Sequence, residues 1–296
     1  MGKYVDIFIH SFGDYAHYLW QEVTLSASYK EWYANYFYGL IFISGLFFLW
    51  ELMSPWRRGQ KPIRKDFWLD VFYMFFNFFL FWLIIYNAVS NVVVEVFKTF
   101  CVELGFANGI ALKIESLPLF LKLLFAFVIK DFIHWNVHRL LHRVSFLWQF
   151  HKLHHSVQEM GFAAHLRFHW IEIVIYNSIQ YIPMAILGFG LDEYFVVHMF
   201  ALFVGHFNHS NVKLSLGPLK YIFNNPQMHL WHHAKEIPEK NGVNFGLTLS
   251  CWDYLFGTAY MPSENAEEEL GFKDIERYPK GFFGQMFYPF RSYSKK

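Results

Sequence analysis

Three short stretches of the chain carry histidines at spacings of three and four residues. Most of the 16 histidines lie between residues 134 and 233. The stretches, called boxes below, read H-R-L-L-H at 138–142, H-K-L-H-H at 151–155 and H-L-W-H-H at 229–233. Because residues three and four apart share one face of a helix, each box can direct its imidazoles toward a common point. Imidazole binds iron, zinc and copper, so the spacing predicts a metal site.

The number of these histidines indicates more than one metal ion. The boxes contain eight imidazoles, and the F-N-H-S-N sequence at 207–211 adds His209. Common coordination geometries hold about four to six ligands, so nine imidazoles predict two metal ions. Two cysteines, Cys101 and Cys251, are too few for an iron–sulfur cluster or a thiolate zinc ribbon. The sequence H-E-x-x-H is absent, which argues against an ordinary zinc peptidase.

The composition indicates that the boxes belong to a membrane protein. Apolar residues make up 55% of the 296 residues and charged residues 17%, and the mean hydropathy is +0.20. This apolar content excludes a disordered chain. The net charge of +1 argues against nucleic acid as a partner.

Long apolar stretches predict the helices that position the boxes. They occupy residues 36–49, 68–94 and 117–133, and a hairpin over 171–204 that turns near 188–190. We therefore predict an all-α, polytopic membrane helical bundle with about four transmembrane helices, interfacial helices and a histidine-rich helical cap. Basic residues are denser in 54–65 than in 95–116, which predicts a cytoplasmic first loop and, by counting spans, a cytoplasmic cap. The predicted organisation is an interfacial segment at 1–34, a membrane-embedded domain at 35–262 and a polar tail at 263–296.

In this order, the motifs resemble those of the fatty acid hydroxylase/sterol desaturase superfamily, membrane di-iron oxygenases with histidine boxes. The resemblance covers residues from about 117 to 260, and the W-D-Y-L-F-G-T sequence at 252–258 is similar to the alkylglycerol monooxygenase-like branch. It implies two iron ions, or zinc in the purified protein, with O₂ as cosubstrate. It further implies hydroxylation or desaturation of a C–H bond in a lipid: a sterol, a fatty acyl chain or an ether lipid. The ligands implied are His138, His142, His151, His154, His155, His209, His229, His232 and His233.

Four further residues are candidates for roles at the centre. His169, in the R-F-H-W-I-E sequence at 167–172, and His206, three residues before His209, are candidate ligands. Asp131 and Glu172 are candidate carboxylates that orient a ligand, because a metal-bound imidazole usually donates its other N–H to such an acceptor. Glu172 could instead bind a metal directly. Two more histidines are interpreted as pocket residues: His134 and His165.

The sequence also implies a separate electron donor. It contains no dinucleotide-binding glycine pattern and no cysteine cluster, so a reductase, ferredoxin, cytochrome or pterin must supply the electrons. Arg139, Arg143, Lys152 and Lys235 could bind an acidic carrier or anionic lipid headgroups.

Two other functions remain open at this point. One is a zinc-dependent membrane lipid hydrolase with Glu159 or Glu172 as its base. The other is a membrane protein that binds or transports metal ions, which would need polar ligands at mid-membrane. The metal content separates these alternatives, since they require two redox-active ions, one zinc ion or exchangeable ions.

Overall fold

All regular secondary structure is helical in the computed structural model, which describes residues 2–26, 35–80, 99, 103, 116–187, 189, 191–236, 241–263 and 269–293. Apart from the helices, these residues form three isolated β-bridges. The α-helices are α1 (Gly2–Thr24), α2 (Tyr36–Met53), α3 (Phe67–Phe75), α4 (Leu119–Arg143), α5 (Ser145–His151), α6 (Trp170–Ile186), α7 (Leu191–His209), α8 (Pro226–His232), α9 (Cys251–Leu255) and α10 (Phe282–Tyr293). Single turns cover Phe76–Leu80, His154–Ser156, Phe162–Leu166, Gly217–Tyr221 and Ile275–Arg277. The all-α prediction is confirmed for the described residues.

The C-terminal end of α2 is anchored by a buried carboxylate. Glu51 Oε1 accepts hydrogen bonds from the backbone N–H groups of Phe162 and Asn211, each at 2.8 Å. The first donor lies in the turn Phe162–Leu166 and the second lies just after α7. A buried carboxylate needs such donors to offset its lost hydration. Glu51 therefore joins α2 to the two segments that lead to the histidine boxes.

Helix α4 is the longest described element and leads from the apolar bundle to the first box. Its 25 residues extend for about 38 Å at the usual helical rise. Its first turns expose apolar side chains such as Leu119 and Phe120, whereas Trp135 and His138 are buried near its other end. The helix ends where Val144 adopts an extended conformation (φ −91°, ψ 111°), and α5 then folds back against it. This reversal brings the second box beside the first.

One of the described helices, α2, is long and apolar enough to cross a membrane. The predicted stretch 68–94 begins with α3, and its residues 81–94 lie outside the described residues. The stretch 117–133 is the first part of α4, and the predicted hairpin corresponds to α6 and α7. The fourfold span count therefore stays a prediction.

The segment predicted as a polar tail contains α10, which packs against the bundle. Tyr278 and Met286 are buried in a cluster that includes Tyr73 of α3. The Tyr73 hydroxyl donates to Gln285 Oε1 at 2.8 Å. The last described helix thus closes one side of the structure near α3, α5 and α6.

Candidate metal centre

Nine imidazoles form two adjacent groups inside the described structure. Within each group the candidate ligand nitrogens all lie within 4.8 Å of one another. Two nitrogens bound to one ion at about 2.1 Å lie at most about 4.2 Å apart, so small side-chain adjustments suffice to close either group around an ion. Cluster A contains His138, His142, His151, His155 and His232, and cluster B contains His154, His209, His229 and His233. These are the nine histidines that the resemblance implies as ligands.

The second and third boxes each contribute to both clusters. His151 and His155 belong to cluster A, while His154 between them belongs to cluster B. The third box is divided the opposite way, with His232 in cluster A and its other two imidazoles in cluster B. The rings of His155 and His233 stack with their centroids 4.4 Å apart, where the two clusters meet. Neighbouring residues on a helical turn point in different directions, which is why one box can serve two clusters.

Hydrogen bonds made by Nδ1, the nitrogen that faces away from the cluster interior, fix the orientation of four rings. Four imidazoles donate from Nδ1: His138 to the Phe245 carbonyl at 2.8 Å, His151 to Glu172 Oε1 at 2.7 Å, His209 to the Gly205 carbonyl at 2.8 Å and His232 to the Val243 carbonyl at 2.7 Å. A neutral imidazole that donates from Nδ1 carries its lone pair on Nε2. These four rings therefore present a lone pair to the interior of the clusters, as metal ligands must.

Inside cluster B the inward nitrogens lie within hydrogen-bonding distance of one another, but not every imidazole nitrogen of the two clusters finds a partner in the described structure. Nε2 of His209 lies 3.2 Å from Nε2 of His154 and 3.0 Å from Nε2 of His229, which is itself 3.2 Å from Nε2 of His233. Nε2 of His232 and Nδ1 of His154, His229 and His233 are buried and have no hydrogen-bond partner in the described part of the chain. Each neutral ring has one proton for its two nitrogens, so nitrogens of both clusters remain without a hydrogen-bond partner among the described residues. This donor set fits cations.

Burial keeps these imidazoles in the neutral form that binds metal. Loss of hydration is the largest cause that lowers the pKa of every member of both clusters, and in most of them neighbouring imidazoles lower it further. The pKa of His138 falls to about 4 and that of His209 to about 3. At neutral pH no proton competes for the inward lone pairs.

The structure places the two additional candidate ligands outside both clusters. His169 caps the start of α6, where its Nδ1 accepts from the Ile171 N–H at 3.2 Å and its Nε2 donates to the Met286 carbonyl at 3.0 Å. His206 lies three residues before His209 on α7 and points toward α2, where Nε2 is 3.1 Å from Ser44 Oγ. Nδ1 of His206 lies 3.0 Å from Nδ1 of His165, so both nitrogens of each ring are used in contacts outside the clusters.

The two candidate carboxylates have different surroundings. Glu172, in the first turn of α6, is fully buried and accepts from His151, which is the contact expected of an orienting carboxylate. Asp131 differs from our expectation, because it does not contact a ligand imidazole. Its carboxylate accepts from the backbone N–H groups of Thr248 and Leu249 at 3.1 and 3.2 Å and from Trp252 Nε1 at 3.0 Å. Seven residues on a helix restore the direction but leave Asp131 about 10 Å from His138 along the axis.

A carboxylate that the sequence analysis did not identify supports cluster A indirectly. Asp253 is buried and accepts from the Phe245 and Gly246 N–H groups at 2.9 and 2.8 Å and from Trp135 Nε1 at 2.9 Å. It thereby holds the loop whose Phe245 carbonyl orients His138. The W-D-Y-L-F-G-T motif contains this residue, but its spacing alone gives no link to a histidine box.

Cavities reach the clusters from two sides. One lies between α4, α6 and α7 and shares His134, His165, Phe168, Tyr176 and Leu247 with the space beside the clusters. The other is a wide depression of about 610 Å³ on the cluster A side, lined by three cluster A imidazoles and by basic side chains. Its basic residues are Arg143, Lys152, Lys235 and Lys273. Glu159 lines neither of these cavities; it is exposed and accepts from the Lys65 N–H at 3.4 Å.

The described fold and site define a helical, histidine-box metal-site protein with an apolar membrane-type helix. Residues 123–258 match the sequence model of the Fatty acid hydroxylase family, and this region belongs to that family. The chain is 34% identical over 182 residues to the ornithine lipid hydroxylase OlsE of Rhizobium tropici, which covers 62% of this chain and 54% of that protein. The predicted superfamily is therefore confirmed.

Two further relatives match shorter parts of the chain. Alkylglycerol monooxygenase of Homo sapiens is 34% identical over 143 residues, which is 47% of this chain and 31% of that protein. Methylsterol monooxygenase 1 of Rattus norvegicus is 30% identical over 134 residues, or 44% of each chain. The matched part thus spans about half or less of the length of these relatives. No solved structure shows a significant match to the chain.

Proposed function

We propose that this protein is a membrane-bound di-iron oxygenase that uses O₂ and external electrons to hydroxylate or desaturate a C–H bond of a lipid. The observation that carries the proposal is the pair of buried, all-imidazole clusters, which offers nine neutral nitrogen ligands to two cations. The named relatives are lipid hydroxylases and monooxygenases, which supports the same reaction class. Iron bound at such nitrogen ligands supplies the redox chemistry that O₂ activation needs, whereas zinc has none.

The surrounding residues serve this reaction by holding the ligands and excluding water. Glu172 and three backbone carbonyls keep four imidazoles with Nε2 directed inward. Phe168, Tyr176 and Leu247 line the passage between the lateral cavity and the clusters. These three side chains, which lie there together with His134 and His165, offer a lipid chain apolar contacts and keep bulk water away from the reacting bond. We assign this passage to the substrate.

A multi-pass membrane location with the clusters on the cytoplasmic side completes the proposal. It is supported by α2 and by the apolar side chains that α4 exposes, including Leu119, Phe120 and Phe125. An exposed apolar surface of this kind is suited to acyl chains. The basic depression beside cluster A is the proposed contact for an acidic electron donor, since it is lined by His142, His155 and His232, none of which lines the lipid passage.

Metal analysis combined with an oxygen electrode tests the function. We expect the iron-loaded protein to contain two iron ions per chain and, when reduced, to consume O₂ in the presence of a bacterial lipid extract. The variant His154→Ala should lose the ion of cluster B and the activity, whereas His10→Ala, on the exposed face of α1, should retain both. The proposal fails if the reduced protein consumes no O₂ with any lipid extract while it binds zinc tightly.

A further inference from the structure

The lateral cavity is lined by a buried lysine, Lys130, whose ammonium group the proposed reaction does not use. Lys130 lies in the middle of α4, and 5% of its surface is exposed. It lines the cavity together with His134, one turn further along the same face of the helix, and Gln180 of α6. Continuing for one more turn along this face leads to His138 of cluster A. The ammonium and the metal ligands therefore belong to one continuous wall.

No carboxylate in the described part of the chain pairs with this ammonium. The adjacent Asp131 is occupied by two backbone N–H groups and the indole of Trp252. The contact found for Lys130 Nζ is the face of the Tyr194 ring, 5.4 Å away. An ammonium removed from water in an apolar bundle is costly unless an anionic or oxygen acceptor meets it. The cavity itself is the space from which such an acceptor can come.

A second lysine on the same helix shows how an ordinary cation is accommodated here. Lys122, two turns before Lys130, keeps 22% of its side chain exposed and pairs with Glu193 at 3.2 Å. It is absent from the cavity lining. Lys122 thus has a carboxylate partner outside the cavity, whereas Lys130 lines the cavity and pairs with no carboxylate among the described residues.

Other polar groups surround the same part of the cavity. Gln180 Nε2 lies 3.0 Å from His134 Nδ1, and Asn177 and His198 line the cavity from α6 and α7. Walls of this kind suit the polar part of a lipid better than an alkyl chain alone. Because an ammonium is a donor without acceptor capacity, its ligand must provide oxygen lone pairs.

We propose that this cavity binds the acidic group of the lipid substrate, a carboxylate or a phosphate, and that the Lys130 ammonium is its counter-ion. That the bound lipid is a substrate rests on the oxygenase function proposed above. Lys130 and His138 are eight residues apart, which is about 12 Å along the helix axis. A lipid held in this way presents a carbon remote from its acidic group to the clusters, and the carbons next to that group stay out of reach.

Binding of simple single-chain probes to the full-length protein tests the assignment without any need for turnover. The probes are palmitate, hexadecyl phosphate and hexadecanol, titrated into the protein in nonionic detergent. We expect at least one charged probe to bind about tenfold or more tightly than hexadecanol, and the charged probe preferred identifies carboxylate or phosphate. Lys130→Met should abolish this preference by weakening the charged probe alone, as should Lys130→Gln, which keeps a polar side chain if the apolar substitution impairs folding.

The matched control is Lys122→Met, which removes the same charge from the same helix outside the cavity and should leave the preference unchanged. Equal affinity of the wild-type protein for all three probes overturns the assignment, as does a preference that survives in both Lys130 variants. Such a result leaves the oxygen-consumption test untouched. Conversely, a protein that shows the Lys130-dependent preference but consumes no O₂ refutes the oxygenase and retains the acid-binding cavity.

Discussion

The contact between Glu172 and His151 gives a prediction whose size can be worked out from the structure. The two side chains are 1% exposed or less, and their 2.7 Å contact is the length of a charge-assisted hydrogen bond. A cation in cluster A favours the ionised carboxylate. Replacing Glu172 by Gln keeps an acceptor oxygen but removes the charge. A hydrogen bond to a charged group contributes about 1.5–3 kcal/mol, which corresponds to roughly 10- to 150-fold in affinity.

We therefore expect Glu172→Gln to weaken metal binding in cluster A by roughly 10- to 100-fold, the usual effect of losing a partner behind a ligand imidazole. Cluster B should be unaffected, because none of its four rings contacts Glu172 among the described residues. Competition of the purified protein against a chromophoric chelator with Co²⁺ resolves two affinities. The matched control is Glu159→Gln, an exposed glutamate away from the centre. Unchanged affinities in the Glu172 variant, or a loss confined to cluster B, would refute the reasoning.

Three further predictions concern the same centre. His232→Ala should lose the ion of cluster A first and His229→Ala that of cluster B first, so the two variants should differ in their Co²⁺ absorption spectra while each keeps close to one ion; identical spectra would contradict the division of the third box. Asp253→Ala should lower the free energy of unfolding by about 3 kcal/mol or more, because it leaves the Phe245, Gly246 and Trp135 N–H groups without their buried acceptor, and thermal denaturation measures this loss. Removal of metal with a chelator should lower the melting temperature, and zinc should restore it, since an ion that binds only the folded chain stabilises it; a melting temperature independent of metal would argue against the two cation sites.

The nine candidate ligands and the helical class could be predicted from the sequence, the ligands from the family resemblance that the box motifs carry and the helical class from the apolar composition and periodicity. Three- and four-residue intervals fix which imidazoles share a helical face, and composition fixes the apolar bundle. Asp131 shows the limit of this reasoning. Its periodicity placed it on the face of His138, but periodicity gives direction without distance, and Asp131 instead contacts Thr248 and Leu249 and the first turn of α9 at Trp252.

Contacts between segments far apart in the chain were beyond the reach of the sequence. The role of Asp253 depends on a loop closure that brings the Phe245 carbonyl to His138, and no interval within either segment encodes it. His169 was a candidate ligand because of the R-F-H-W-I-E sequence around it, yet its Nε2 donates to the Met286 carbonyl of α10, a helix in the stretch predicted as a tail. His154 and His155 belong to different clusters because the turn His154–Ser156 after α5 directs their side chains differently, and the box spacing did not predict this turn.

Because the second and third boxes each supply ligands to both clusters, the two clusters share the same two short stretches of backbone. The backbone conformation of either box therefore affects the geometry of both cation sites. An insertion of even one residue into either box would disrupt both cation sites together.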